Sequence, residues 1–291
     1  MAEGTAIAFE PLSPILGARV HGVDLSEPDS AARSLMLREA FAKYCVLCFP
    51  QQTITNEDQI RFARNFGRAD ADFMGKPTAN DTPEYSEKAE YDGPAKRGVM
   101  YISNLRENGQ QVGALPDGEL HFHSDGAHRK SPYRATSLFS IEIPSVGGET
   151  KFANMQMAYD HLPEAMKQRL EGLIVNNVYD TRATLREQTD ETDGKLSNAR
   201  HPLVRVHPDS GRKALYLSRL MTRNIVGMER AESDGLLEEL FAHIERPEFI
   251  YAHSWKVADL LIWDNRAVNH ARADFPASER RHLRRVTVSE P

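Results

Sequence analysis

Short β-branched and apolar runs, each closed by glycine, proline or a polar turn, recur along this 291-residue chain, with only a few helical patterns between them. A strand of a few residues buries its apolar side only by pairing with neighbours, so such a chain must build sheets rather than a helical bundle. The runs at 14–25, 46–49, 99–103, 135–143, 203–207, 214–217, 260–263 and 283–288 all read as strands, the first with turns inside it and the second stopped by Pro50. Apolar residues at helical spacing mark 29–44, a helix with Thr55 as N-cap and Ile60, Phe62, Ala63 and Phe66 as its stripe, 158–173 with Pro163 early in it, and 233–244 capped by Ser233. This alternation is too irregular for a doubly wound sheet. It predicts a mainly β fold with flanking helices, an antiparallel barrel or sandwich. The polar stretches 68–118 and 184–199 are expected to be mobile loops in one domain spanning 1–291.

Composition removes several classes of function. Lys and Arg total 36 against 42 Asp and Glu, giving a net charge of -6, so the chain lacks the basic footprint of a nucleic-acid binder. No run of about 18 apolar residues could span a membrane, and the N-terminus has no basic and apolar leader pattern. The two cysteines, Cys45 and Cys48, would face opposite sides of a strand. They read as small core residues in a reducing compartment, and a cytoplasmic location is expected. Glycine-rich phosphate loops and a G-x-S-x-G nucleophile elbow are absent, which counts against nucleotide sites and an α/β-hydrolase.

Histidines carry the most chemistry. Three of the 11 crowd between Glu119 and His128. If 120–125 is a strand, His123 and Asp125 share a face, with His121 one step earlier on the same side. An imidazole and a carboxylate aimed at one point supply two-thirds of the facial triad that holds Fe(II) and leaves positions open. A hydrogen-bonded surface pair is the bland alternative. The third ligand would come from His128, His201, His207, His253, His270 or His282. His270 stands out because it lies between the apolar run 260–263 and the arginine-rich run 280–288. In that second run, strand parity groups Arg281, Leu283 and Arg285 on one face and Arg280, His282 and Arg284 on the other. Arginines on an inward face make sense if they grip carboxylates of small ligands. A solvated edge strand is the alternative.

Taken in order, these pieces resemble the taurine/2,4-D dioxygenase (TauD/TfdA) family of Fe(II)- and 2-oxoglutarate-dependent oxygenases. The resemblance runs from Leu16-Gly17-Ala18-Arg19-Val20-His21-Gly22-Val23-Asp24-Leu25 through Thr55-Asn56-Glu57-Asp58-Gln59-Ile60, Phe66-Gly67 and His123-Ser124-Asp125. It continues through Gly147-Gly148-Glu149-Thr150, His201 to Pro208 and Gly211-Arg212-Lys213, and ends in Trp263-Asp264-Asn265-Arg266, His270 and the stretch from Arg281 to Thr287. It implies a double-stranded β-helix, a jelly-roll, cupin-like core. It also implies His123, Asp125 and His270 as catalytic iron ligands, with Thr150 and Arg281 holding the distal carboxylate of 2-oxoglutarate. Arg285 matches a position that grips a substrate anion. The implied reaction consumes O2, releases succinate and CO2, and hydroxylates a small organic acid or cleaves it through hydroxylation. A carboxylate at Asp125 favours hydroxylation over halogenation, in which a small residue there leaves room for chloride.

The chain also departs from the family pattern. Phe122 replaces a tryptophan common before the first ligand, Glu119 stands where taurine-type members have an asparagine, and Asp72 falls where they have a histidine. Two acidic replacements argue against taurine and for a substrate with a cationic or hydroxyl group near Glu119 or Asp72. His121 and His128 read as a core-edge and a solvent-facing histidine, Trp255 and Trp263 as core, and Tyr101 and Phe73 as residues that could border a pocket. The resemblance leaves a homo-oligomer, dimer or tetramer, open. Two rival functions use the same His-x-Asp…His set: a zinc-dependent hydrolase or isomerase, and a non-catalytic cupin-like binding protein. Neither needs a dicarboxylate clamp.

Overall fold

A computed structural model describes residues 6–69, 99–111, 113–115, 118–179 and 197–290. Its strands, in chain order, are β1 (Ala8–Pro11), β2 (Ala18–His21), β3 (Val46–Phe49), β4 (Arg68–Ala69), β5 (Met100–Ser103), β6 (Arg106–Glu107), β7 (Gln110–Gln111), β8 (Leu120–His123), β9 (Ala135–Glu142), β10 (Thr150–Asn154), β11 (Ile174–Tyr179), β12 (Ser197–Pro202), β13 (Val204–Val206), β14 (Lys213–Leu215), β15 (Thr222–Ile225), β16 (Ile250–His253), β17 (Leu260–Asp264), β18 (Val268–Arg272) and β19 (His282–Ser289). The major sheet runs β1-β2-β3-β17-β9-β19-β4, with β5 also paired to β19, and a minor sheet runs β16-β10-β18-β8. Together they form the jelly roll expected from the sequence.

The apolar run Leu260-Leu261-Ile262-Trp263 shows why the major sheet is central. Side chains alternate across a strand, so a strand covered on both faces must be apolar at every position. Leu260 and Ile262 pack with Leu47, Phe49, Phe62, Phe66 and Val286 beneath the helices. Leu261 and Trp263 pack with Val46, Leu138 and Leu283 against Phe152 and Val268 of the minor sheet. The second cluster is the layer between the sheets, and the site opens from it. A third cluster, built on Leu236, Leu237, Leu240, Phe241 and Ile244, joins the late helices to β11, β14 and β15.

Helices Ala31–Tyr44 and Asn56–Ala63 cover the outer face of the major sheet. Thr55 caps the second as expected: its hydroxyl accepts from the Asp58 amide while the Asp58 carboxylate accepts from the Thr55 amide. This closes two backbone donors that a helix start otherwise leaves open.

Several sequence expectations are corrected. The first helix starts at Ala31, because Ser30 is its N-cap and Asp29 lies outside, paired with Arg33. The helix expected over 158–173 is two helices, Met155–Asp160 and Glu164–Leu170. Pro163 cannot continue a helix from the residues before it. The last helix spans Arg230–Ile244, capped by Glu229. Ser233 is inside it, and its buried Oγ instead accepts from the Ile225 amide. Cys45 and Cys48 do not part to opposite faces. Cys45 lies outside β3 with a left-handed φ of 62°, so strand parity does not govern it, and both thiols join the inter-sheet cluster. The loops expected at 68–118 and 184–199 fall largely outside the described residues. Where described, they hold β4 to β7 and the start of β12. No helix among the described residues is long and apolar enough to cross a membrane.

Replacing Thr55 by Ala is expected to cost about 1 kcal/mol. Urea unfolding measures it, and turnover should be unaffected because the cap lies on the outer helix layer.

Candidate active site

Two histidines meet because β8 and β18 are hydrogen-bonded neighbours with His123 opposite His270 in register. Their ring centroids lie 4.1 Å apart. His123 Nδ1 is 2.9 Å from the His121 carbonyl oxygen. A carbonyl only accepts, so Nδ1 carries the proton and Nε2 presents a lone pair. His121 thus contributes its backbone, while its side chain is exposed.

Asp125 arrives differently. β8 ends at His123, so Asp125 sits in the following turn and not in the strand that parity assumed. A relay of hydrogen bonds holds it. The Trp263 indole donates to Asn265 Oδ1 at 3.1 Å, Asn265 Nδ2 donates to Thr136 Oγ1 at 3.0 Å, and Thr136 donates to Asp125 Oδ2 at 2.7 Å. An indole can only donate, so it fixes the orientation of the asparagine amide and through it the direction of every later bond. Asp125 Oδ1 lies 3.7 Å from His123 Nε2, and Oδ2 lies 3.7 Å from His270 Nε2. The three donor atoms fall within 4.8 Å of one another, and all three residues are buried.

These donors line a pocket of about 450 Å³ between the sheets, together with Ile102, Leu138, Thr150, Arg272, Arg281 and Arg285. The arginine strand is therefore not a solvated edge. β19 lies between β9 and β5, and the expected grouping of Arg281 with Arg285 holds. Arg285 Nη2 is 2.8 Å from Asp125 Oδ1. Arg281 is only 2% exposed. Its Nε has no hydrogen-bond partner, and no carboxylate among the described residues pairs with it. Burial, then the charge of Arg272, pulls its pKa down to about 9. Gly148 makes room for it: at φ +70°, a Cβ there would lie 2.9 Å from Pro144 Cγ and 3.3 Å from Arg281 Nε. On the opposite face of β19, Arg284 is buried as well, donating to Gln59, Asn56 and the Ile54 carbonyl, while Arg280 pairs at the surface with Glu142.

Arg272 was not singled out in the sequence, yet it lines the pocket and spans the Gly118 and Leu115 carbonyls. Strand parity with His270, two residues earlier, was the available signal. Trp263 belongs to the core and also borders the pocket, with its ring 4.7 Å from that of His270. Tyr101 packs beneath the helices and stacks on His282, leaving Ile102 to face inward. Glu119 is exposed just before β8 and is not part of the pocket wall. Asp72 and Phe73 lie outside the described residues. The other histidines bond elsewhere: His201 to the Arg129 carbonyl, His207 to Asp264, and His128 by stacking on Tyr179 rather than facing solvent. Two further groups have metal-ligand chemistry, Cys48–His253–Asp259 and His207–Asp209–Asp264. Neither lines the pocket, and Asp264 and Asp209 are already engaged by Arg266.

Charge states suit metal binding. Burial lowers the pKa of both imidazoles, His270 to about 3 with help from neighbouring His123. Burial works to raise that of Asp125, but Arg285, the two histidines and the Thr136 hydroxyl outweigh it and hold the carboxyl well below its usual range. An unfolded chain takes up histidine protons as pH falls through the ordinary value of 6.5, and the folded site does not. Stability therefore drops with acid. The melting temperature of the metal-free protein should fall from about pH 7 to about pH 5. His270→Gln should flatten that slope, and an unchanged slope would contradict the assignment.

The sequence matches the family model described as taurine catabolism dioxygenase TauD, TfdA family, over residues 8–287. It is 32% identical over 286 residues to the alpha-ketoglutarate-dependent 2,4-dichlorophenoxyacetate dioxygenase of Cupriavidus pinatubonensis, covering 97% of this chain and 98% of that one. It is 34% identical to the (S)-phenoxypropionate/alpha-ketoglutarate-dioxygenase of Sphingobium herbicidovorans, covering 95% and 92%. The crystal structure of AAD-2 in complex with Mn(II) and N-oxalylglycine superposes with a TM-score of 0.78 at 31% identity, covering 99% of this chain and 98% of that one. Both sequence relatives are α-ketoglutarate-dependent dioxygenases, not zinc hydrolases or passive binding proteins.

Proposed function

Because the chain belongs to the TauD/TfdA family of 2-oxoglutarate-dependent dioxygenases, we propose that it holds Fe(II) on His123, Asp125 and His270 and hydroxylates a small organic acid. The carrying observation is the guanidinium of Arg281, buried in the same pocket as the three donors and without a carboxylate partner among the described residues. An unpaired buried charge is costly. An incoming keto diacid removes that cost by pairing its far carboxylate with Arg281 and the Thr150 hydroxyl, which places its keto acid end toward the donor set. Two neutral imidazoles and one carboxylate are the donor chemistry of a ferrous facial triad. Iron bound there would couple the decarboxylation of 2-oxoglutarate to succinate with oxygen transfer from O2 to the substrate.

The protein's own groups do the rest. Thr136 and Asn265 hold Asp125 in place, and its carboxylate fills the position that a halide would need. Ile102, Leu120 and Leu138 keep the pocket wall apolar, and a dry wall strengthens the ionic contacts inside it. Arg285 supplies the charge for a substrate carboxylate. With apolar walls around it, the site fits an aryloxy or similar hydrophobic acid, the class named in the phenoxyacetate and phenoxypropionate relatives. Asp72 is the position for a cationic or hydroxyl group on such a substrate, while Glu119, exposed outside the pocket wall, would meet one only on a substrate that extends beyond the pocket. The reading takes 1–291 as one dioxygenase domain with buried free thiols, working in the cytoplasm as a dimer or tetramer, without a nucleic-acid or membrane partner.

A panel of aryloxyacids, sulfonates and zwitterionic amines, read by succinate release with Fe(II) and ascorbate, tests the substrate class. Strong turnover of taurine would overturn the reading of Glu119 and Asp72. Arg281→Ala should raise KM for 2-oxoglutarate on the order of a hundredfold with a smaller change in kcat. An unchanged KM would overturn the cosubstrate assignment. Asp125→Ala should bring coupled succinate release down to background and weaken Mn(II) binding measured by calorimetry.

A further inference from the structure

Resting on that cosubstrate site, we propose that Trp255 is a positioning residue for 2-oxoglutarate. Its indole N–H occupies Thr150 Oγ1 as an acceptor and so commits the Thr150 hydroxyl proton to the distal carboxylate. Trp255 Nε1 stands 3.0 Å from Thr150 Oγ1. An indole nitrogen only donates, while a hydroxyl has one proton to give and lone pairs to accept with. The oxygen is therefore the acceptor in this bond, and its own proton must go elsewhere. Among the described residues Thr150 Oγ1 makes no other hydrogen bond. Thr150 is buried and shares the pocket wall with Arg281, so the remaining direction for the proton is into the pocket. Receiving one hydrogen bond also polarises the hydroxyl and strengthens the one it gives.

The indole is fixed by the sheet. β10 and β16 pair with Thr150 opposite His253, and Trp255 follows His253 by two residues. The two rings meet edge to face, with centroids 4.9 Å apart at 86°. Trp255 also packs into the inter-sheet cluster beside Phe152 and Leu261, so its N–H cannot swing away from Thr150 without opening that layer. Reading Trp255 as core describes its ring but misses its nitrogen.

The test is a double-mutant cycle of Trp255→Phe and Thr150→Val on the full-length protein. KM for 2-oxoglutarate and the calorimetric Kd of N-oxalylglycine with Mn(II) are the readouts, and competitive inhibition by pyruvate, which lacks the distal carboxylate, is the control. Trp255→Phe should raise both constants about tenfold, the loss of one hydrogen bond's influence on a charged ligand. The double variant should be no worse than Thr150→Val alone, and pyruvate inhibition should not change. If Trp255→Phe has no effect while Thr150→Val weakens binding, or if the two effects add, the proposal is overturned and the cosubstrate site stands. An equal loss for pyruvate would mark a merely structural role and would also overturn it. If Thr150→Val changes nothing either, the cosubstrate site itself is misassigned. Thermal melting checks folding, and Trp255→Leu carries the cycle should Trp255→Phe not fold.

Discussion

Everything at the site depends on one cross-strand pairing, His123 of β8 opposite His270 of β18. The two residues are far apart in the chain, and the antiparallel ladder of β8 and β18 brings them face to face at short range. The minor sheet that contains the pair packs on the major sheet through Phe152, Trp263 and Val268. The paired histidines are therefore seated on the packed layer beneath them. Three further elements converge on the same point: the turn carrying Asp125, Thr136 on β9 and the arginines of β19. Each would be expensive to bury alone. Asp125 is stabilised as an anion by Arg285 and the Thr136 hydroxyl.

Fold class, most strand positions and the arginine pairing were legible because they follow from periodicity and from residue chemistry over short stretches. β3 and β17 are marked by unbroken apolar runs, the second major-sheet helix by a capping box, and the inward set Arg281 and Arg285 by simple parity. The misreadings have separate local causes. Asp125 and Cys45 each sit one or two residues outside a strand, where a turn or a left-handed backbone breaks the alternation that parity assumes. Pro163 splits a helix whose apolar spacing looks continuous on both sides of it. Ser233 resembles a cap in sequence, yet its hydroxyl satisfies a backbone amide of β15 instead.

The polar parts of the pocket were harder to read, because their meaning lies in partners distant in the chain. Nothing local to Thr136, Asn265 or Trp255 announces that each completes a hydrogen bond to a residue over a hundred positions away or onto a pocket carboxylate. Arg272 was visible by parity with His270, but parity cannot tell a pocket arginine from one that braces loop carbonyls, and this residue does both. Tryptophan is easily taken for bulk alone. Both indoles also act as one-way donors, Trp263 to the Asn265 amide oxygen and Trp255 to the Thr150 hydroxyl oxygen.

The burial of arginines on both faces of β19 bears on how the sheet finds its alignment. A slip of one position would trade Arg285 for Arg284 and present a guanidinium to the pocket all the same, so charge alone hardly discriminates against the error. Discrimination falls to the aliphatic residues, since Leu283 would leave the inter-sheet layer while Val286 and Val288 would turn away from the helices. Correct assembly of this cationic strand thus depends on its methyl groups rather than on its charges.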